Sequence, residues 1–278
     1  MTATVTSGDV RTAQVGARPN WSASSILTQV QVLSGRSLRT LVRDPRLVIL
    51  SLIQPLVLLI LFGQVFSSIA KTPGFPQGIG YIDFILPALL VTTALTSGLQ
   101  SGVAVTTELR NGLIARFRSM PISTGSVLLA RSVADVCRSF VELSVMALVA
   151  ALLFGFAPPG GITGVLGSLA VAAVVCWSLG WVFMAFASWL RQPEILQTIG
   201  SLVTFPLMFA SKAFVPISGL PDWLQGFATI NPLSHAIEAA RGMAMGKPDL
   251  TVLATAVGGC LLIALVFAPL ALRSFRRP

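Results

Sequence analysis

The sequence predicts an all-α membrane protein with six transmembrane helices. Of its 278 residues, 54% are apolar and 10% are charged, whereas roughly a quarter of the residues in soluble domains are charged. The apolar residues gather in long runs that fit the ~30 Å hydrocarbon core of a bilayer. Most charges lie in the segments between these runs. Composition and run length together therefore favour a polytopic membrane protein over a soluble one.

The six runs follow one another in a single transmembrane domain that we expect to cover residues 23–278. They lie at about residues 47–66, 84–105, 140–156, 162–190, 195–211 and 250–272. The third helix is expected to begin near residue 126 and to project into the cytoplasm, because about 30 residues at 1.5 Å each measure ~45 Å.

The residues before the first run divide into two parts. Residues 1–22 lack the apolar stretch of a signal peptide and predict a mobile cytoplasmic tail. The segment from Trp21 to Asp44 places apolar residues at helical spacing with Arg36, Arg39 and Arg43 between them. This pattern predicts an amphipathic helix at the membrane interface, with its arginines toward the phosphate head groups.

The distribution of basic residues predicts the orientation. Fifteen of the 19 Lys and Arg residues lie in the N-terminal segment, between runs two and three, in the turn near Arg191 and at the C-terminus. Four lie in the other three loops. By the positive-inside rule both termini are cytoplasmic, and the protein is expected in the cytoplasmic (inner) membrane.

A charged island, Thr106–Glu142, separates the second and third runs. In its first half a short helix from Glu108 to Met120 would place Leu113 and Phe117 on one side, and Pro121 would end it. In its second half charges recur at spacings of four, three and four residues, on one helix face. Two interpretations of this stripe stay open, a self-paired solvated face and a face toward a partner. The stripe consists of Arg131, Asp135, Arg138 and Glu142.

Two runs carry polar faces. Hydroxyls crowd the second run, and a polar stripe follows one side of the fifth run at spacings of three and four residues. Such groups either pack a neighbouring helix or face a substrate, and both alternatives stay open. The residues are Thr92, Thr93, Thr96, Ser97, Gln100 and Ser101 in the second run, and Gln197, Ser201, Thr204, Met208 and Ser211 in the fifth.

The sequence indicates a permease and not an enzyme. It has no GxxxxGK[ST] or HExxH motif, and His235 stands without a nucleophile motif. Cys137, Cys176 and Cys260 read as core residues, so no metal or cofactor is expected. The basic residues match no nucleic-acid-reading module. The spans carry essentially no ionisable residue for ion coupling, so the energy is expected to come from elsewhere.

Before the sixth run, the segment Lys212–Asp249 breaks the apolar pattern. It predicts two short helices, Pro221–Phe227 and Pro232–Met245, of which the second begins with an Asn-Pro start. The second helix is amphipathic, and we expect it to dip into or lie on the outer membrane interface.

The order of these parts resembles the membrane subunits of type-2 ABC exporters, and within them the daunorubicin/doxorubicin-resistance-like branch of actinobacterial permeases. The resemblance covers nearly the whole chain past residue 25. It is carried by E-x-R-x-x-G at Glu108, Arg110 and Gly112, which runs on to Ser119-Met120-Pro121, and by the segments Leu220–Gln225 and Asn231–Gly242.

The resemblance implies a permease that is driven by a separate ATP-binding subunit. Asn111–Met120 would be a coupling helix that docks on a separate ATP-binding subunit. That subunit would be present in two copies and would bind the ATP and Mg. Short re-entrant helices would precede span six. A second permease copy or paralogue would complete a dimer among membrane lipid, with the pathway along spans one, two and five. The implied coupling residues are Glu108, Arg110, Gly112, Leu113, Arg116, Phe117, Arg118 and Pro121. The candidate pathway residues are Gln54, Thr93, Ser97, Gln100, Gln197, Ser201, Thr204 and Met208.

The expected cargo is an amphiphilic or hydrophobic molecule such as a lipid, glycolipid, polyketide or drug. Export of a polysaccharide is the alternative within the same superfamily. A membrane scaffold or sensor without transport is the alternative from another class. The spans show no acidic cluster for a cationic drug, so a drug-resistance likeness does not by itself predict a drug-binding site.

Overall fold

The computed structural model describes residues 35, 45–65, 80–111, 124–214 and 221–276. Within these residues every regular element is a helix and there is no strand. The helices are α1 (Pro45–Val65), α2 (Tyr81–Arg110), α3 (Thr124–Phe154), α4 (Gly161–Leu190), α5 (Pro193–Phe209), α6 (Asp222–Ile230), α7 (Pro232–Ala244) and α8 (Leu250–Arg276).

Each predicted apolar run falls on one of these helices. In the described part of the chain, four helices (α2, α3, α4 and α8) are long and apolar enough to cross a bilayer. The apolar part of α1 and the 17-residue α5 are shorter. The chain is therefore a multi-pass, all-helical membrane protein, and the count of six spans stays a prediction.

The end of α2 corrects one expectation. The sequence placed Glu108 and Arg110 at the start of a separate short helix, but both lie in the last turn of α2, and the Asn111 N–H still donates to the Thr107 carbonyl at 3.0 Å. The helix can extend this far because both side chains find ion-pair partners on neighbouring helices. The rest of the predicted coupling helix lies outside the described residues, as do the interfacial helix and the N-terminal tail.

Helix α2 forms the centre of the bundle and packs most closely against α4. Gly98 and Gly102 face α4 one turn apart, and a Cβ at Gly102 would come within 2.5 Å of the Phe183 Cβ and 2.8 Å of the Phe183 carbonyl carbon. Small residues at this spacing allow two helix backbones to approach closely. Of the most apolar stretch of α2, 83% is buried, so α2 is shielded from lipid over much of its length.

Helix α7 is docked on the start of α4. The Ser168 hydroxyl donates to the Ala240 carbonyl at 2.6 Å, and the Gly160 N–H donates to the Ala244 carbonyl at 2.8 Å. A Cβ at Gly164 would lie 2.4 Å from the Met243 carbonyl oxygen, so only glycine permits this contact. These contacts fix α7 against the bundle.

Within the segment Asn231–Gly242, Asn231 and Arg241 attach the two ends of α7 to the rest of the bundle. Asn231 accepts from the Leu233 N–H at 3.0 Å as the helix cap, and its amide donates to the Leu207 and Ala210 carbonyls at the end of α5. Arg241 donates to the Phe84 and Lys212 carbonyls, each at 3.1 Å, and its guanidinium stacks on the Phe84 ring. The predicted Asn-Pro start of this helix is confirmed.

Candidate functional site

A cavity of about 500 Å³ lies between α1, α2, α3 and α5. All eight candidate pathway residues named from the sequence line it. The lining consists of Leu50, Ser51, Gln54, Pro55 and Leu58 from α1; Thr92, Thr93, Thr96, Ser97, Leu99 and Gln100 from α2; Arg138 and Glu142 from α3; and Gln197, Ser201, Thr204, Phe205, Met208 and Phe209 from α5.

The lining is polar on α2 and on one side of α5. The hydroxyls of Thr92 and Thr96 donate to carbonyls three residues earlier in their own helix, at 3.1 and 2.8 Å. The sequence predicts partners on other helices for such hydroxyls, and two of them bond to α3: Ser97 to the Glu142 carboxylate at 3.3 Å and Thr93 to the Met146 sulfur at 3.8 Å. Thr92 and Thr96 use carbonyls of their own helix instead, which are close acceptors for Ser and Thr in a helix. These bonds hold the two hydroxyls against the α2 backbone, on the face of α2 that lines the cavity.

The residues of the polar stripe on α5 lie in two environments: most of them line the cavity, and the last one is buried away from it. Gln197 donates to the Ser201 hydroxyl at 3.3 Å. The Thr204 Oγ1 atom is buried and has no hydrogen-bond partner among the described residues. Ser211, the last residue of the predicted stripe, is buried and donates to the Met208 carbonyl at 2.6 Å, away from the cavity lining.

Two ionisable residues of α3 also line the cavity. Glu142 is only 3% exposed, and it accepts a hydrogen bond from the Ser97 hydroxyl at 3.3 Å and one from Ser51. Arg138 lies one turn earlier, and its buried Nε has no hydrogen-bond partner among the described residues. The bond to Ser97, midway along α2, places the carboxylate at the middle of the bundle.

This placement corrects two expectations. The statement that the spans carry essentially no ionisable residue is wrong, because Glu142 lies within an apolar helix and faces the interior. The α3 stripe is also not uniformly a solvated or partner-facing surface, since its second half lines the cavity. The i, i+4 spacing that defined the stripe continues into the apolar run at residue 140, and that continuation was the signal for an inward-facing charge.

The first half of the α3 stripe ties α3 to the end of α2. Arg131 forms ion pairs with Glu108 of α2 and, at 3.1 Å, with Asp135 of its own helix. Glu108 is thus bound across two helices at the point where the predicted coupling segment begins. This cluster is partly buried.

A second ion pair connects the same end of α2 to α5. Arg110 contacts Glu194, in the first turn of α5, at 2.9 Å, and both side chains are exposed. Of the implied coupling residues only Glu108 and Arg110 are described. Gly112, Leu113, Arg116, Phe117, Arg118 and Pro121 lie outside the described residues.

A second, smaller cavity of about 420 Å³ is lined by charged residues of the segment before α8. In it the Lys212 ammonium contacts the Glu238 carboxylate at 2.6 Å, beside Arg241. In the described part of the chain no group of three His, Cys, Asp or Glu side chains could hold a metal ion. The three cysteines are free, and Cys176 and Cys260 are buried.

Several long apolar helices around an interior cavity define a class, the multi-pass membrane proteins. Residues 28–245 match the ABC-2 type transporter family, and the chain belongs to that family. Proteins of this family are transmembrane subunits and not enzymes.

Several relatives resemble the chain over most of its length. The daunorubicin resistance ABC transporter permease DrrB1 of Streptomyces coeruleorubidus is 29% identical, covering 98% of this chain and 94% of the relative. The doxorubicin resistance ABC transporter permease DrrC of Mycobacterium tuberculosis is 26% identical, with 89% of each chain covered. The transport permease ycf38 of Porphyra purpurea is 27% identical, with 80% of this chain and 76% of the relative covered.

Proposed function

We propose that this chain is the permease subunit of an ATP-driven ABC exporter that moves an amphiphilic or hydrophobic molecule outward across the cytoplasmic membrane. A separate ATP-binding subunit, in two copies, would supply the energy, and a second permease copy or paralogue would complete the pathway. The termini and the charged island would be cytoplasmic, as the distribution of Lys and Arg predicts.

The cavity is the observation that carries this proposal. The eight candidate pathway positions were named from polar spacing and family resemblance, and all of them line one cavity. The lining residues of α1 and α2, at 50–58 and 92–100, lie midway along the predicted spans 47–66 and 84–105. A cavity at that depth suits a molecule that enters the membrane and not one that binds at its surface.

The chemistry of the lining favours an amphiphile. Hydroxyl and amide groups cover α2 and one side of α5, whereas Leu50, Leu58, Phe205 and Phe209 supply an apolar side. Ligand pockets of about 300–1,000 Å³ combine apolar walls with a few polar groups that orient the ligand. A polysaccharide would leave the apolar side without a matching surface, so we favour the amphiphile.

The two ion pairs at the end of α2 support coupling to a partner. If the charged island docks on an ATP-binding subunit, then Glu108 and Arg110 join the docking segment to α3 and α5 through Arg131 and Glu194. Both α3 and α5 line the cavity. Movement of the docking segment would therefore reach two walls of the pathway.

Transport in proteoliposomes tests the proposal. The chain would be purified with its ATP-binding subunit and assayed with two fluorescent probes, daunorubicin and NBD-labelled phosphatidylethanolamine. Thr204→Trp is expected to abolish ATP-driven transport because the larger ring fills the cavity. Leu202→Trp is the matched control on the same helix, since Leu202 is 72% exposed and does not line the cavity.

Two outcomes would contradict the proposal. If no ATP-binding subunit copurifies and ATP moves neither probe, the chain is better described as a membrane scaffold or sensor. If the Thr204→Trp variant expresses, assembles and transports as well as the parent, the cavity is a packing gap and not a pathway.

A further inference from the structure

The cavity holds two opposite charges on one face of α3, which a purely apolar cargo does not require. Glu142 is 3% exposed, and Arg138 precedes it by one helical turn; both line the cavity. Ionisable side chains inside a membrane are costly and characteristically mark a pathway or ligand site. The pair therefore needs an explanation in terms of what enters the cavity.

Arg138 and Glu142 attract each other electrostatically across one helical turn, but within the described residues they form no direct ion pair. The ion pairs formed within the described residues do not include Arg138. Its buried Nε also has no hydrogen-bond partner there. A guanidinium offers five N–H donors in a planar fork that matches phosphate or carboxylate oxygens. The side chain is thus set up for an acceptor that the described residues do not supply.

Glu142 has acceptor capacity left. Its carboxylate accepts from Ser97 and Ser51, whereas an ionised carboxylate can accept about four hydrogen bonds. The remaining positions suit a donor with a positive charge. Because residues four apart on a helix have Cβ atoms about 5–6 Å from each other, a ligand could bind Arg138 and Glu142 together only if its two charges lie a short spacer apart.

We infer that the cavity takes an amphiphile with a zwitterionic head group, in which a protonated amine binds Glu142 and an anionic oxygen binds Arg138. This inference rests on the proposed function. The two side chains sum to no net charge, so a zwitterion leaves the filled cavity neutral. A singly charged ligand would leave a buried net charge, which is strongly unfavourable in a membrane interior.

The rest of the lining fits the same ligand. The Gln100 amide lines the cavity and can bind a neutral polar group of the ligand. Phe205 and Phe209 of α5 offer an aromatic surface for the apolar part, and the two rings stack on each other. An aminoalkyl phosphate head with a hydrocarbon tail satisfies each of these features.

Native mass spectrometry of the full-length chain in detergent tests the inference. The probes are lysophosphatidylethanolamine, which is zwitterionic, lysophosphatidylglycerol, which is anionic, and hexadecylamine, which is cationic. The wild-type chain is expected to bind the zwitterionic probe at least tenfold more tightly than either of the others. Glu142→Gln should remove the advantage over the anionic probe, and Arg138→Gln the advantage over the cationic probe.

Two further variants distinguish the loss of a specific charge from a misfolded chain. Asp222→Asn makes the same acid-to-amide change on the exposed face of α6, away from the cavity, and should leave the preference unchanged. The double variant Arg138→Glu with Glu142→Arg keeps both charges in exchanged positions and should recover the zwitterionic preference. Elution by size exclusion verifies that each variant is folded.

The results separate this inference from the proposed function. Equal binding of the three probes, or tightest binding of a singly charged probe, by the wild-type chain overturns the zwitterion assignment. A folded double variant without the preference overturns it as well. If head-group preference is absent while ATP still drives transport of NBD-labelled phosphatidylethanolamine, only this inference fails. If the preference is present and ATP drives no transport of any probe, the proposed function fails instead.

Discussion

Replacing Arg131 by Gln is expected to destabilise the protein more than the equivalent change at Arg110. Arg131 binds both Glu108 and Asp135, and its loss leaves two carboxylates near each other without their shared cation. Arg110 binds Glu194 alone. The two variants remove the same charge from two contacts at the same end of α2, one with α3 and one with α5, so they form a matched pair.

The exposures of the side chains set the magnitudes. Arg131 is 22% exposed and its partners Glu108 and Asp135 are 34% and 13% exposed, which lies between a surface pair worth about 0–1 kcal/mol and a buried pair whose disruption costs about 3–5 kcal/mol. We therefore expect Arg131→Gln to cost about 2 kcal/mol. Arg110 and Glu194 are 61% and 72% exposed, so Arg110→Gln should cost about 0–1 kcal/mol.

Thermal unfolding of the purified chain in detergent, followed by tryptophan fluorescence, measures the difference. At about 2–4 °C per kcal/mol for a chain of this size, Arg131→Gln should lower Tm by about 4–8 °C and Arg110→Gln by less than about 4 °C. Added salt should reduce the small Arg110 effect more than the Arg131 effect, because exposed pairs are screened. Equal shifts in the two variants would refute the argument from burial.

Two further predictions concern the orientation and the partner. Single cysteines at Ser119 and Gly219, in a chain without its native cysteines, should react with an impermeant reagent from outside only at Gly219; labelling at Ser119 in intact cells would contradict the charge-based topology. Phe117→Ala should weaken retention of the ATP-binding subunit by about 2 kcal/mol or more, whereas Arg118→Ala should cost about 0–1 kcal/mol and mainly increase salt sensitivity. Unchanged retention and ATP hydrolysis in Phe117→Ala would show that this segment is not the docking contact.

The positions of the helices could be predicted because a membrane leaves few alternatives. Backbone groups in hydrocarbon must be satisfied within the segment, so an apolar run of sufficient length becomes a helix. The turn expected near Arg191 is found there: α4 ends at Leu190 and α5 begins at Pro193, a residue favoured in the first turn of a helix. The polar faces expected on α2 and α5 line the cavity, and their role in binding a substrate stays a prediction.

Helix ends and depths could not be read in the same way. The sequence predicts that the second span ends near residue 105 and that a separate short helix begins at Glu108. Instead α2 continues to Arg110, because Arg131 supplies a cation across the helix interface. Glu142 counts in the sequence as the last residue of the charged island, although it falls within the predicted span 140–156. Its actual depth depends on Ser97 of another helix, and a pairing between distant segments is not contained in local periodicity.

The α3 stripe, considered as a whole, explains why one helix carries four charges in two different environments. Arg131 and Asp135 are bound at the end of α2, where the charged island begins, whereas Arg138 and Glu142 line the cavity. The distance along the helix from Arg131 to Glu142 is ~16 Å at 1.5 Å per residue. A continuous helix without proline resists bending over that length. A displacement that a docked partner imposed on Glu108 would therefore pass through Arg131 and along α3 to the two charges that line the cavity.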